Sequence, residues 1–119
     1  MIMKTAILDS SFILTCAKQK IDFFEFLENE GIKAVIPEEV LKEISGVAKM
    51  KDYGKTALQI LKKNKFNKIN LKEKNVDFGI VKYAKKNPMI IVATLDAEIK
   101  RKTRNQKLIV RGKKKLEIV

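Results

Sequence analysis

The chain has 119 residues, of which 45% are apolar and 34% charged, and it carries a formal net charge of +12. This length and composition predict one globular domain over residues 1–119. No apolar run approaches the roughly 20 residues of a membrane-spanning helix, so we expect a cytoplasmic protein without a membrane partner. One cysteine and no histidine exclude an intrachain disulfide, a histidine-based triad and a cysteine-rich zinc site. Any metal would need oxygen ligands, which favours Mg²⁺ or Mn²⁺.

The positive charge is concentrated in the second half of the chain. Residues 1–60 contain eight lysines and arginines against nine acids, whereas residues 61–119 contain eighteen against five. The net charges of the two halves are therefore −1 and +13. Such a basic surface attracts polyanions such as RNA, although a lysine-rich surface can also serve solubility alone.

The apolar patterns predict strands and helices that alternate along the chain. Predicted strands lie at about 4–8, 33–36, 67–71, 89–93 and 107–110, with an edge strand in the C-terminal LEIV. Predicted helices run from a Ser10 or Ser11 cap through FILTCA, and then at about 21–30, 38–47, 52–64, 75–86 and 96–104. This alternation implies a mostly parallel sheet with helices on both faces, a three-layer α/β/α fold.

Two acids follow apolar strands. Asp9 ends the apolar run of KTAILDSS, and Asp96 follows the run MIIVA in MIIVATLD. The carboxyl ends of parallel strands meet at one edge of a sheet, where ligands bind. We therefore expect both carboxylates at one edge; the alternative is that each aspartate only caps the next helix.

Two further acids lie on apolar stripes of predicted helices. Glu43 shares its stripe with Val40 and Val47, and Asp77 lies on the stripe of helix 75–86. The alternatives are that Glu43 pairs with a nearby lysine such as Lys42 or Lys49, and that Asn75 or Asp77 only caps the helix.

Four carboxylates gathered in one place would repel one another unless a cation or hydrogen-bond donors stabilised them. Without histidine, a divalent ion is the natural counterion, and it would attract a phosphodiester. An acidic centre with a basic surround suits phosphodiester hydrolysis. Glu39, one helical turn before Glu43, is an additional candidate to assist.

These residues resemble the PIN-domain family of metal-dependent ribonucleases over nearly the whole chain. The matching segments are ILDSS with Asp9 and Ser11, IPEEVLKEI with Glu43, VDFGIVKYA with Asp77, and VATLD with Thr94 and Asp96. The C-terminal LIVRGKKKLEIV is similar to archaeal PIN proteins related to those that cleave precursor ribosomal RNA. The chain departs from the family pattern at Gly79, where many relatives have a larger residue, and at Leu95, where relatives often have asparagine.

The resemblance implies a metal-dependent endoribonuclease acting in rRNA processing or, alternatively, as the toxin of a pair with an antitoxin partner. It implies one or two Mg²⁺ or Mn²⁺ ions held directly or through water by Asp9, Glu43, Asp77 and Asp96. Ser11 and Thr94 would orient carboxylates or the scissile phosphate. Candidates to grip flanking phosphates are Lys100, Arg101, Lys102, Arg104, Lys113, Lys114 and Lys115.

Two other interpretations compete with a nuclease. A non-catalytic RNA-binding module would keep the fold, but the presence of all four acids disfavours it. A phosphoryl-accepting receiver domain also carries acids at strand ends, but the predicted third strand, FNKINL, ends without an aspartate. The expected partner is RNA, single-stranded or structured, including precursor rRNA. A homodimer through the apolar helices near 21–30 and 52–64 is a further expectation.

Overall fold

The computed structural model describes residues 4–119, which form six strands and six helices. The strands are β1 (Lys4–Leu8), β2 (Ile32–Pro37), β3 (Asn67–Ile69), β4 (Ile91–Ala93), β5 (Lys107–Arg111) and β6 (Lys115–Ile118). The helices are α1 (Ser10–Gln19), α2 (Phe23–Asn29), α3 (Glu38–Ala48), α4 (Asp52–Lys63), α5 (Val76–Lys86) and α6 (Ala97–Lys102). None of the helices in this part of the chain has the length and apolar character needed to cross a membrane.

The strands form one sheet in the order β3-β2-β1-β4-β5-β6. The first five strands of this order are parallel, and β6 runs antiparallel to β5 at the edge. Right-handed crossovers place α1 to α4 on one face and α5 and α6 on the other. The helix contacts agree, because α4 packs on α1 and α3 while α5 packs on α6. The predicted three-layer α/β/α fold is confirmed.

The core lies on both faces of the two central strands. Ile7 and Leu8 of β1 and Val92 of β4 are completely buried. Strands covered on both faces read as continuous apolar runs, which is why KTAIL and IIVA lack alternation. Below α1, the rings of Phe12 and Phe23 meet edge to face at 5.7 Å, a favoured aromatic geometry.

Three predicted boundaries are corrected by the structure. The strand predicted over 89–93 begins at Ile91, and Met89, which follows Pro88, is 89% exposed. The strand predicted over 67–71 ends at Ile69. The cap of α1 is Asp9 rather than Ser10 or Ser11.

The segment after β3 is bound by the carboxylate of Glu39. The backbone N–H groups of Leu71 and Lys72 donate to its two oxygens at 3.2 and 3.1 Å. Although burial acts to raise the pKa of Glu39, these backbone donors hold the pKa below its ordinary value. Glu39 therefore fastens the segment after β3 to α3, and its carboxylate is engaged there rather than beside Glu43.

Gly79, where the chain departs from the family pattern, allows the segment after β3 to pack on α5. A Cβ at this position would lie 3.0 Å from Leu71 Cδ1 and 3.2 Å from the Cβ of Glu73. These separations are tighter than ordinary van der Waals contact, so a larger residue would push the segment away. The glycine thus supports the first turn of α5, which carries Asp77.

Candidate active site

The sheet register aligns the chain segments that follow β1 and β4. Ile7 is paired with Val92 and Leu8 with Ala93, so both strands end at the same level. The N–H of Asp9 extends this pairing by donating to the carbonyl of Ala93 at 2.9 Å. The residues after β1 and after β4 therefore lie together at the carboxyl-terminal edge of the sheet, where the parallel strands end.

The carboxylate of Asp9 is buried and fully engaged by donors. Its side chain is 4% exposed. Oδ1 accepts from the backbone N–H of Ser10 at 2.8 Å, and Oδ2 accepts from Ser11 Oγ and Thr94 Oγ1, both at 2.8 Å. A buried charge of this kind is stable only when hydrogen bonds replace its water. We call Asp9, Ser11 and Thr94 the hydroxyl network.

The hydroxyl network also holds the loop that leads into α6. Ser11 Oγ accepts from the N–H of Leu95 at 3.1 Å, and Thr94 Oγ1 accepts from the N–H of Asp96 at 3.0 Å. The two hydroxyl oxygens lie 3.2 Å apart. These bonds fix the start of α1 to the end of β4. They also set the position of Asp96, whose N–H is one of the donors.

Asp96 does cap its helix, as the alternative interpretation predicted. Its Oδ1 accepts from the N–H groups of Glu98 and Ile99 at 2.8 and 3.2 Å. Both bonds go to one oxygen, so capping leaves the second oxygen free for another role. Asp9 caps α1 in the same way while belonging to the hydroxyl network. Capping and membership of a site are therefore compatible.

Glu43 and Asp77 reach the same edge from helices. The buried stripe of α3 consists of Val40, Ile44 and Ala48, and Glu43 lies beside it with an exposed side chain. Glu43 therefore lies beside the buried stripe and not on it, which corrects the stripe predicted for it from Val40 and Val47. Its Oε1 instead accepts from Ser10 Oγ at 2.9 Å, which links α3 to the start of α1. Asp77 is also exposed, in the first turn of α5, which Asn75 caps.

These carboxylates lie within electrostatic range of one another. Partial burial and the negative charges of Asp9 and Asp77 raise the pKa of Glu43, against the lowering effect of the Ser10 hydrogen bond. Partial burial and the charges of Asp9, Asp96 and Glu98 raise the pKa of Asp77. Because this repulsion requires the carboxylates to be near one another, we call the region bordered by these acids the acidic cleft; its acids are Asp9, Glu43, Asp77, Asp96 and Glu98.

Two residues of this cleft were missed from the sequence. Ser10 orients Glu43, although it was considered only as a helix cap. Glu98 adds a fifth carboxylate, and its Oε1 lies 3.0 Å from Arg101 Nη2 and 3.9 Å from Lys102 Nζ. The available signal was the spacing of Asp96 and Glu98, which puts both acids at the start of one helix.

The residue types of the cleft fit a hard divalent ion. Carboxylate oxygens are the preferred ligands of Mg²⁺ and Mn²⁺, and a cation would relieve the mutual repulsion that raises two of the pKa values. Over residues 4–119, no three ligating side chains are gathered closely enough to hold an ion as they lie. The side chains of Glu43 and Asp77 are exposed and can change rotamer rapidly, whereas Asp9 is fixed.

The structure divides the seven predicted RNA-binding residues into separate regions. Because β5 is parallel to β4, the turn after β5 lies at the edge that carries the acidic cleft. This turn presents Lys113 and Lys114, and Lys115 follows as the first residue of β6. Arg101, Lys102 and Arg104 instead line a cavity at the opposite edge. Lys100 lies between them on α6, half-buried.

A larger cavity, of about 840 Å³, does not coincide with the acidic cleft. It lies at the amino ends of β2 and β3, and its lining includes Phe24, Leu27, Lys33 and Phe66. None of the predicted site residues lines it. The candidate site in this molecule is therefore identified by the arrangement of its carboxylates and not by the size of a cavity.

The fold and the acidic cleft together define an α/β/α domain with carboxylates at the carboxyl ends of its central strands, the architecture of PIN nucleases. A family model described as "PIN like domain" matches residues 6–113 of the chain. The chain belongs to the PIN-like domain family, as the sequence motifs predicted.

Individual relatives support the same assignment. The chain is 31% identical over 121 residues to Ribonuclease VapC4 of Methanocaldococcus jannaschii, and the match covers 92% of each protein. The structure of the PIN domain endonuclease Utp24 superposes with a TM-score of 0.79 and 28% identity, over 96% of this chain and 90% of that chain. The structure of PAE2754 from Pyrobaculum aerophilum shares the fold, with a TM-score of 0.52 and 14% identity over 90% of this chain and 92% of its own.

Proposed function

We propose that this protein is a metal-dependent endoribonuclease that hydrolyses RNA phosphodiester bonds. The observation that carries the proposal is the acidic cleft, in which Asp9 is fixed by three donors while Glu43 and Asp77 have raised pKa values. Acids arranged in this way favour a cation, and the net charge of +12 favours a polyanionic substrate. The names of two relatives, a ribonuclease and an endonuclease, support the same chemistry.

The proposed ligands of one or two Mg²⁺ or Mn²⁺ ions are Asp9, Glu43, Asp77 and Asp96. When bound, such an ion would act as a Lewis acid: it would lower the pKa of a coordinated water and neutralise charge on the phosphate. The chain itself contributes orientation. Ser11 and Thr94 hold the Asp9 carboxylate in one rotamer, and Ser10 directs Glu43 towards it. Residues that orient ligands in this way commonly affect metal affinity or activity by about 10- to 100-fold.

The proposed contacts to RNA near the cleavage point come from the β5–β6 turn. Lys113, Lys114 and Lys115 lie at the edge of the sheet that carries the acidic cleft and are exposed. Lysines in such a turn bind phosphates as point charges and read little sequence. They would hold the strand beside the cleft, where the carboxylates alone would repel it.

The activity is tested with single-stranded RNA incubated with the purified protein in Mn²⁺ or in excess chelator. We expect cleavage only in Mn²⁺, and loss of that cleavage on Asp96→Asn, because the substitution keeps an oxygen to cap α6 while removing a charged ligand. Lys49→Gln, an exposed change at the end of α3, is the control and should cleave like the unmodified protein. Equal cleavage by Asp96→Asn and the unmodified protein would contradict the assignment of the site.

For the biological role we propose rRNA processing. The support is the C-terminal segment LIVRGKKKLEIV, which resembles archaeal PIN proteins related to those that cleave precursor ribosomal RNA. The extended likeness to the endonuclease Utp24 is consistent with that role. Mapping of new RNA 5′ ends after induced expression tests it: ends at the boundaries of mature rRNA support processing, and ends confined to other RNAs contradict it.

The alternative role is that of a toxin nuclease controlled by an antitoxin. The observation that favours it is the 31% identity to Ribonuclease VapC4. In that case the neighbouring gene would encode a small DNA-binding protein. Expression of the nuclease alone would arrest growth, and co-expression of the neighbouring gene would restore it.

A further inference from the structure

Helices α5 and α6 connect the acidic cleft with the opposite edge of the sheet. Both begin at the cleft, since Asp77 lies in the first turn of α5 and Asp96 caps α6. Both then run back along the same face of the sheet, in contact with each other. One end of this helix pair, the end at the cleft, is therefore acidic.

At the other end, the two helices terminate around a cavity of about 560 Å³. We call this cavity the basic pocket. Its lining residues are Ala84, Lys85, Pro88, Arg101, Lys102, Arg104 and Asn105. Four of these residues are cationic and none is acidic. Arg101 and Lys102 also lie 3.0 and 3.9 Å from Glu98 Oε1, so the four cations outnumber this one neighbouring acid. A concave surface with an excess of positive charge attracts anions.

The walls of the basic pocket are held in place by Asn105, which is 8% exposed. Its Nδ2 donates to the carbonyls of Ala84, Asn87 and Ile90 at 3.1, 3.0 and 2.9 Å. These bonds fasten the loop before β5 to the end of α5 and to the start of β4. The cations around the pocket therefore project from a fixed frame, which lowers the entropy lost when a ligand binds.

Helix dipoles alone do not account for this cluster. Basic residues in the last turn of a helix interact favourably with the helix dipole, which suffices to explain Lys85, Arg101 and Lys102. Arg104 lies beyond the end of α6 and still lines the pocket. The dipole of α6 therefore does not explain why a cation lies at this position.

We propose that the basic pocket binds backbone phosphates of the RNA strand at a distance from the bond that is cut. This inference rests on the proposed function, because it takes RNA as the substrate. From Asp77 to Lys85 the axis of α5 rises by about 12 Å, so the pocket contacts a different nucleotide from the cleft. The strand lies along α5 and α6, past Phe78, whose ring is 54% exposed beside Asp77 and can stack on a base.

The test uses the double variant Lys85→Gln/Arg104→Gln. Both residues line the basic pocket and are exposed. Within residues 4–119 neither side chain forms an ion pair, whereas Arg101 and Lys102 both pair with Glu98. The matched control is Lys49→Gln/Lys55→Gln, which removes the same charge from exposed positions on the other helical layer. Thermal unfolding verifies that both double variants are folded.

The readout is the affinity for fluorescent single-stranded RNA, measured in chelator over a range of salt concentrations. We expect the pocket variant to bind at least about 10-fold more weakly and to lower the salt slope by about 1.4, which corresponds to two lost phosphate contacts on a single strand. The control should retain the affinity to within about twofold. Equal weakening by both variants, or no weakening by the pocket variant, would overturn the inference.

Substrate length provides a second readout that separates the two proposals. The pocket variant should raise KM for RNAs of about ten nucleotides and leave KM unchanged for RNAs of about three, with kcat unaffected in both cases. If the unmodified protein cleaves RNA and the pocket variant has the same KM at every length, the pocket inference fails and the proposed function stands. If the unmodified protein binds RNA through the pocket without cleaving it, the proposed catalytic function fails and the pocket inference stands.

Discussion

The two halves of the acidic cleft are built differently. Asp9 is buried, follows a central strand and has both carboxylate oxygens occupied by donors. Glu43 and Asp77 are exposed, stand on helices and have raised pKa values. In the first half, the sheet and its hydrogen bonds hold the Asp9 carboxylate in a fixed position. In the second half, Glu43 and Asp77 experience electrostatic repulsion from the other acids, which a bound cation would reduce. A fixed and an adaptable half together suit the capture and release of an ion.

The largest expected effect comes from the rigid half. Asp9→Asn should reduce Mn²⁺-dependent RNA cleavage by at least about 100-fold, because it removes a charged ligand and disturbs the donors around it. Initial rates with labelled single-stranded RNA measure the loss, and circular dichroism shows that the protein remains folded. A folded Asp9→Asn protein with unchanged rates would contradict the role of this half.

Thr94→Val sharpens the comparison by removing only the support of Asp9. We expect activity to fall by about 10- to 100-fold and the free energy of unfolding to fall by about 1–3 kcal/mol, since a buried carboxylate oxygen loses a donor. Thr103→Val is a matched control, because Thr103 is also buried and donates only to the carbonyl of Ile99. It should lose stability and keep its activity; equal activity losses in both variants would place Thr94 outside the site.

The adaptable half predicts stabilisation by metal. At a Mn²⁺ concentration about 100 times its dissociation constant, the free energy of unfolding should rise by about 2.7 kcal/mol, seen as a higher melting temperature. Asp77→Asn should weaken this shift, because it removes one of the repelling carboxylates. A matched concentration of monovalent salt is the control. No shift at any Mn²⁺ concentration would support acids that only cap helices.

The smallest effect is a pH dependence of the metal-free protein. A raised pKa means that folded Asp77 and Glu43 keep their protons to higher pH than the unfolded chain does. The contribution of these two carboxyl groups to the free energy of unfolding is therefore largest at low pH. It decreases as the pH rises through their raised pKa values. In chelator, the melting temperature should decrease as the pH rises above the ordinary carboxyl pKa of about 4, and the decrease should be smaller in Asp77→Asn. An identical slope in both proteins would show that Asp77 does not sense the other acids.

The parts of the site that belong to the strands could be predicted from the sequence. Asp9 and Asp96 follow apolar runs, and the parallel arrangement of the strands is enough to bring them to one edge. The register of β1 with β4 then brings Thr94 to Asp9. These features depend on continuous apolar runs and on a rule of topology, both of which are visible in the chain.

The contributions of the helices could not be predicted in the same way. The bond between Ser10 and Glu43 depends on how α3 rotates against α1, which is a packing outcome of residues far apart in the chain. Glu39 resembled Glu43 in sequence and instead binds the segment after β3. The separation of Lys113 from Arg104, at opposite edges of the sheet, follows from the length and direction of α6.

The central claim is that separate elements bring their carboxylates together around an ion. Anomalous diffraction from crystals soaked in Mn²⁺ tests it directly. We expect a manganese peak in the acidic cleft, within coordination distance of Asp9 and Asp96 and approached by rotated side chains of Glu43 and Asp77. Density at saturating Mn²⁺ that leaves these four acids without a metal would contradict the account.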